Sequence, residues 1–206
     1  LQMVFRNPLV EPGFLGVSQG AAFGAALSIV ALGASAWTVQ LSALLFAAGG
    51  MALSVMLARR MRYGGAILRL VLAGIAVSAL FSAGVGVLKY LADPLTQLQS
   101  IVFWMLGGLW GATWKELLAA APLAIGGLAV LYLMRWRLNL LALDDETAFS
   151  LGAAPGRERT VVLAAAVAAT AAVISVSGMV GWIGLVVPHM ARRLVGADGQ
   201  RALPAS

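Results

Sequence analysis

Apolar residues run along this chain in long blocks broken by short arginine clusters. Six blocks stand out: 19–36, 39–58, 70–88, 117–134, 160–177 and 178–190. A helix rises about 1.5 Å per residue and the hydrocarbon core of a bilayer is about 30 Å thick, so one crossing takes about 20 residues. The first four blocks fit that length, the first being short. The last two share one run, from Thr160 to Ala191, without Asp, Glu, Lys or Arg. Gly178, Gly181 and Gly184 offer a turn near its middle. The run is a helical hairpin, a single long tilted helix, or a helix with a re-entrant second half.

Charge placement orients the blocks. Arg6 precedes the first. Arg59, Arg60, Arg62 and Arg69 separate the second from the third. Arg135, Arg137, Arg157 and Arg159 separate the fourth from the fifth, and Arg192, Arg193 and Arg201 follow the sixth. Of the 14 basic residues only Lys89 and Lys115 fall in the other set of loops. The positive-inside rule makes the arginine loops cytoplasmic. Arg159 and Arg192 on one side require an even number of crossings between them, which favours the hairpin.

Composition agrees. The chain is 61% hydrophobic and 11% charged, against about 25% charged in soluble domains. Its mean hydropathy is +0.94. The net charge of +6 records membrane orientation and does not indicate nucleic-acid binding. There is no cysteine, which excludes disulfides and thiolate metal sites. The fold class expected is all-α: a polytopic transmembrane helix bundle. The chain opens at Leu1 rather than Met, carries no signal-peptide pattern, and stops as a new segment begins. It reads as a fragment of a longer membrane domain.

Small residues set the packing expected. Gly20 and Gly24 on the first block, and Ala164, Ala168 and Ala172 on the fifth, repeat at i, i+4 and let helices approach closely. Between Lys89 and Lys115, on the outer side, Asp93-Pro94 is followed by Phe103, Trp104, Trp110 and Trp114. A short surface helix or an ordinary interfacial aromatic belt explains them equally.

Little chemistry is present. No ionisable residue sits centrally in the first four blocks, which disfavours a proton- or sodium-coupled carrier, and no internal repeat supports one. No G-x-x-x-x-G-K-[ST] occurs, so ATP would have to be split by a partner. Gly16-Val17-Ser18-Gln19-Gly20 fits G-x-S-x-G, the nucleophile turn of serine hydrolases. It lies between a Pro-Gly turn and an apolar helix, where Ser18 reads better as a helix N-cap. His189 is the only histidine. With no second His or Cys it reads as a structural ring beside Pro188 and not as a metal ligand.

Two cytoplasmic loops say more. In Leu143-Asp144-Asp145-Glu146-Thr147-Ala148-Phe149-Ser150-Leu151-Gly152, three acids open a short helix at its positive end. Gly152 can end it, and Pro155 prevents continuation. Leu143, Ala148 and Leu151 form one apolar face. The helix is either a partner-docking element or a connector resting on the membrane surface. Phe5-Arg6-Asn7-Pro8-Leu9-Val10-Glu11-Pro12-Gly13-Phe14-Leu15-Gly16 is a rigid, non-helical connection.

Three stretches together carry a family resemblance. They are Asn7-Pro8-Leu9-(x)-Glu11-Pro12-Gly13-(x)-Leu15-Gly16, Trp104-Met105-Leu106-Gly107-Gly108, and Gly184-Leu185-Val186-Val187-Pro188-His189-Met190-Ala191-Arg192-Arg193. In that order they resemble the permease subunits of bacterial type II ABC importers for iron–siderophores, haem and vitamin B12. Leu72-Ala73-Gly74-Ile75 and Leu138-Asn139-Leu140-Leu141 also fit.

The resemblance implies a single truncated transmembrane permease domain over 1–206, about six segments of a roughly ten-helix bundle, multi-pass in the bacterial inner membrane. It begins at the end of helix two and stops entering helix nine. Implied partners are a second permease subunit, cytoplasmic ATPase subunits, and a periplasmic or lipoprotein substrate-binding protein, besides membrane lipid; no nucleic acid is implied. The chain would be no enzyme and bind no cofactor, ATP and Mg being used by the ATPase partner. Its implied cargo is an iron–siderophore or related metal chelate, with haem and vitamin B12 as alternatives.

By the same resemblance, the cytoplasmic region 138–158 is the ATPase-coupling region, with Leu143, Asp145, Ala148, Leu151 and Gly152 on matching positions. Asp144 and Phe149 depart from the residues usual there, Gly and Arg. Asn7 and Leu9 match the loop that narrows the cytoplasmic exit. Pro188, His189 and Arg192 belong to a structural signature. The Trp-rich outer stretch resembles the short helix facing the binding protein.

Overall fold

The computed structural model describes residues 1–5, 7, 10–62, 64–196 and 198–205, with the Pro12 and Gly199 side chains left aside. Leu9 lies outside the described residues. The described chain is helical throughout: α1 (Gln2–Phe5), a 3₁₀ turn (Pro12–Leu15), α2 (Val17–Leu27) running into a π-helical turn (Ser28–Leu32), α3 (Ala36–Arg60), α4 (Ala66–Leu91), α5 (Gln97–Leu106), α6 (Trp114–Leu133), α7 (Arg135–Leu141), α8 (Asp145–Ser150), α9 (Pro155–Ser177), α10 (Ile183–Val195) and α11 (Gly199–Ala202). Helices α3, α4, α6 and α9 are long and apolar enough to cross a membrane.

Several boundaries move from those the hydrophobic blocks suggest. α3 and α4 each extend beyond their blocks and carry their arginines, Arg59, Arg60 and Arg69, within the end turns. α9 starts at Pro155, taking Arg157 and Arg159 into its first turns. The sixth block changes most. Residues 178–182 are non-helical, and α10 runs on past Arg192 and Arg193 to Val195. Thirteen residues span about 20 Å, less than a bilayer core, so α10 is not a full crossing by length. Its arginines sit in the last turn and complement the negative helix end.

The chain separates into two compact units. One comprises Leu1–Glu11, Ile125–Ala169 and Gly181–Ser206; the other comprises Pro12–Ala124 and Thr170–Val180.

In the second unit α2, α3 and α4 pack on one another. A Cβ added at Gly20 would overlap the Phe46 carbonyl, and one at Gly24 the Ser42 carbonyl. The expected glycine face of α2 therefore lies on the backbone of α3. Ser42 Oγ crosses the contact, donating to Gly24 O at 2.7 Å. Phe23, Phe46 and Phe81 close the middle of this trio, with ring centroids 5.2–6.3 Å apart. Ser18 is not a cap: Gly16 precedes α2 at φ +78°, and Ser18 lies inside the helix.

In the first unit α1 packs on α7, α7 on α8 and α11, and α10 on α11. The small-residue face expected on α9 is met only in part, at Ala172, which is fully buried. Ala164 is exposed and Ala168 half-buried. The contact uses Ala165 and Ala169, and a Cβ at Gly127 of α6 would come within 2.6 Å of Ala165 O and 3.0 Å of Ala169 Cβ. Over the rest of this part of α6, Ile125, Leu128 and Leu133 are exposed, which suits a helix bathed in lipid.

Candidate functional site

The turn around α8 is built from its sequence by local rules. Asp144 Oδ2 accepts the Thr147 N–H at 2.9 Å, capping the helix where Asp145 and Glu146 also complement its positive end. At the other end Gly152, at φ +80°, donates to Phe149 O, and Ala153 donates to Ala148 O. This pair of bonds is a Schellman closure, and the left-handed residue it needs is the expected glycine.

Two ion pairs then fix the turn. Arg159 reaches Asp145 with both ends of its fork, Nη2 to Oδ1 at 2.8 Å and Nη1 to Oδ2 at 3.1 Å. Arg137 reaches Glu158 Oε1 at 3.2 Å and donates to Gly152 O at 3.2 Å. The outer face differs from the one expected. Ala148 is fully buried, so its methyl packs inside the unit. Leu143 and Leu151 are exposed, and Phe149, 74% exposed, joins them. The surface offered to solvent is therefore larger and more aromatic than Leu143, Ala148 and Leu151 would give.

The connection before α2 is not wholly non-helical as expected, since Phe5 ends α1 and Pro12–Leu15 make a 3₁₀ turn. In the first unit Asn7 is exposed; its N–H donates to Gln2 O at 3.1 Å and its carbonyl accepts from Val10 at 3.3 Å. In the second unit the turn Pro12–Leu15 is pinned by two serines. Ser78 Oγ donates to Gly13 O at 2.9 Å, and Ser54 Oγ to Leu15 O at 2.9 Å. A Cβ on Gly74 would overlap Phe14 O. Gly74 of the Leu72–Ile75 stretch is thus required by the turn lying on it.

At the end of the second unit carrying Lys89 and Lys115 lies α5. Asp93 is tied to its start, with Thr96 N–H donating to Asp93 Oδ2 at 2.9 Å and Asp93 N–H to Gln97 Oε1 at 3.0 Å. Gly107 and Gly178, both at φ +67°, clasp each other's strands of backbone: a Cβ on Gly107 would overlap Met179 O, and one on Gly178 would overlap Trp104 O. Gly108 N–H donates to Ser177 O at 2.7 Å. The glycines of Trp104–Gly108 are explained by this clasp.

Beside the clasp is a cavity of about 280 Å³ lined by Phe103, Trp104, Trp110, Glu116, Ser175 and Ser177 among others. The Glu116 carboxylate is already engaged. Its Oε2 accepts the Thr113 N–H and hydroxyl at 2.8 Å, while Thr113 Oγ1 accepts the Glu116 N–H at 3.3 Å, a capping box opening α6.

In α10, His189 is exposed and Pro188 half-buried. Arg192 Nη1 donates to Gln2 Oε1 at 2.6 Å. Among the described residues no group of three or more His, Cys, Asp or Glu could hold a metal. Ser18 and His189 belong to different units.

A model of the FecCD transport family matches residues 1–206. The chain belongs to the FecCD transport family. It is 38% identical to the molybdate import system permease protein of Haemophilus influenzae over its whole length, which is 60% of that protein. It is 40% identical to a Helicobacter pylori protein named as a probable iron chelatin transport system permease, again over the whole chain and 61% of the relative. The hemin transport system permease protein of Yersinia pestis is 39% identical, with 62% covered. A solved inward-facing structure described as of the metal-chelate ABC transporter type superposes at TM-score 0.90, with 38% identity over 99% of this chain and 65% of that one. This FecCD chain thus spans about three fifths of the length of the curated relatives it matches. Its membrane bundle and its place in the bacterial inner membrane follow from the family and from the apolar helices.

Three residues of this FecCD chain that matter to the site escaped the sequence reading. Arg159 was legible only as a topological charge, yet it holds the α8 turn. Phe149 stood out only as a departure from the family pattern. Gln2, near the chain start in a four-residue helix, gave no periodic signal at all.

Proposed function

We propose that this chain is the larger part of a permease subunit of an ATP-driven ABC importer, moving an iron–siderophore or related metal chelate across the bacterial inner membrane. The observation that carries the reading is the α8 turn. It is a short helix capped at both ends, braced by two ion pairs, and left with Phe149, Leu143 and Leu151 facing outward. Rigid aromatic and aliphatic anchors of this kind suit docking to a partner subunit. The partner would be a cytoplasmic ATPase that uses ATP and Mg, this chain performing no covalent chemistry and binding no cofactor.

In this reading residues 1–206 are one truncated permease domain, 138–158 its coupling region, and Asn7 and Leu9 the narrowing of the cytoplasmic exit. The domain pairs with a second permease subunit. α5 and the aromatic residues around Trp110 meet a periplasmic or lipoprotein substrate-binding protein. Pro188, His189 and Arg192 serve the structure of α10. The relatives named for iron chelatin and hemin support a chelate cargo. The relative named for molybdate favours a second reading, an oxyanion importer.

Deleting 143–152 from the full-length subunit tests the core of this. ATP-driven uptake in proteoliposomes is expected to vanish while membrane insertion stays normal. Undiminished uptake would remove the coupling role. Growth of a deletion strain under iron limitation, against growth on limiting molybdate, separates the two cargo readings.

A further inference from the structure

Pro188 stands inside α10 and has no N–H. In a regular helix the N–H at 188 donates to the carbonyl four residues back, Gly184 O. The Gln2 carboxamide supplies the missing donor, its Nε2 lying 3.3 Å from Gly184 O. Its Oε1 accepts from Arg192 Nη1 at 2.6 Å. The chemistry of the partners fixes the orientation of the amide: a carbonyl only accepts and a guanidinium only donates. Residues 184, 188 and 192 are spaced four apart and share one face of α10. One buried side chain therefore joins the turns on either side of the proline.

Gln2 also holds the exit loop, because its own carbonyl accepts the Asn7 N–H at 3.1 Å. Its helix α1 packs on α7, the helix leading into the α8 turn. We infer that Gln2 is a positioning residue that replaces the hydrogen bond lost at Pro188 and ties the arrangement of α10 to the Asn7 turn. Membrane helices tolerate proline where a neighbour satisfies the freed carbonyl, and here the neighbour is a single glutamine on the segment entering the exit loop. The part of this inference that concerns transport rests on the permease reading above.

The bond exchange is tested without transport. Thermal unfolding of the purified full-length subunit is measured for wild type, Gln2→Leu, Pro188→Ala and the double variant. Gln2→Leu is expected to lower Tm by about 2–4 °C. With Pro188→Ala the N–H to Gly184 returns, so the Gln2→Leu drop is expected to shrink by the share of the Gly184 bond and to keep the share of the Arg192 bond. Equal drops in both backgrounds, or no drop in either, overturn the inference. Gln2→Glu keeps an acceptor for Arg192 and loses the donor to Gly184, so it reads the same cycle if Gln2→Leu does not insert.

The positioning role is then read in proteoliposomes holding the complete transporter. Gln2→Leu is expected to lower substrate moved per ATP hydrolysed several-fold, and an unchanged ratio overturns that role. If the wild-type complex shows no ATP-driven uptake, the permease reading fails while the thermal cycle still decides the bond exchange.

Discussion

Arg159 illustrates how much one side chain settles. Its side chain is 13% exposed while its partner Asp145 is 64% exposed, so a sheltered cation holds an outward-facing carboxylate in place. With the carboxylate open to solvent the pair is screened, and its value lies in orientation more than in stability. If the proposed ATPase docking holds, Arg159→Met is expected to leave subunit abundance nearly unchanged and to weaken association with that partner, measured by co-purification. Abundance falling as far as association would place Arg159 in folding instead. Elsewhere in the first unit, the Asn139 amide donates to Asp198 Oδ1 at 2.8 Å. That bond, the Gln200 N–H and the charge of Arg201 hold the Asp198 carboxyl below its ordinary 3.8. A depressed carboxyl pKa adds stability that is present above the unfolded value and is lost as pH falls through the folded one. The Tm difference between wild type and Asn139→Ala is thus expected to be full near neutral pH and to narrow below about pH 4. A difference that widens on acidification would contradict the assignment.

At the scale of elements, close backbone approach governs the bundle. The α2–α3 contact has no room for a side chain at Gly20, since a Cβ there overlaps Phe46 O. Gly20→Leu must separate the helices or bend one, and overpacking of this kind costs about 1–3 kcal/mol or more. Markedly reduced Tm of the full-length subunit is the expected result, and Gly49→Leu, at a position of α3 with open space around it, is the control expected to change little. The glycine pattern on α2 was readable in sequence because i, i+4 spacing marks one helix face whatever lies opposite. The alanine pattern on α9 was not, because alanine occurs on nearly every face of that helix, and only the approach of Gly127 singles out Ala165 and Ala169. The division of the last apolar run was half legible. Glycines announced a turn, but the positive φ of Trp182 that starts α10 carries no signature in sequence.

At the scale of the molecule, the arginine pattern predicts a topology open to direct measurement. The chain has no cysteine, so single thiols can be placed at will. Phe149→Cys is expected to react with a membrane-impermeant maleimide only after the inner membrane is permeabilised, and Trp110→Cys to react in intact spheroplasts; both side chains are well exposed. The reverse pattern would invert the orientation. The sequence by itself determined the membrane class and the family and predicts an orientation, because hydropathy and charge act over whole segments and need no knowledge of neighbours. It also located the α8 turn, since caps are written within a few residues of each helix end. Only the tertiary structure decided which side of α8 faces outward, which alanines pack, and that Gln2 meets Gly184 and Arg192. Those facts join residues far apart in the chain, and no local pattern encodes which distant group will satisfy a freed carbonyl or shelter a charge.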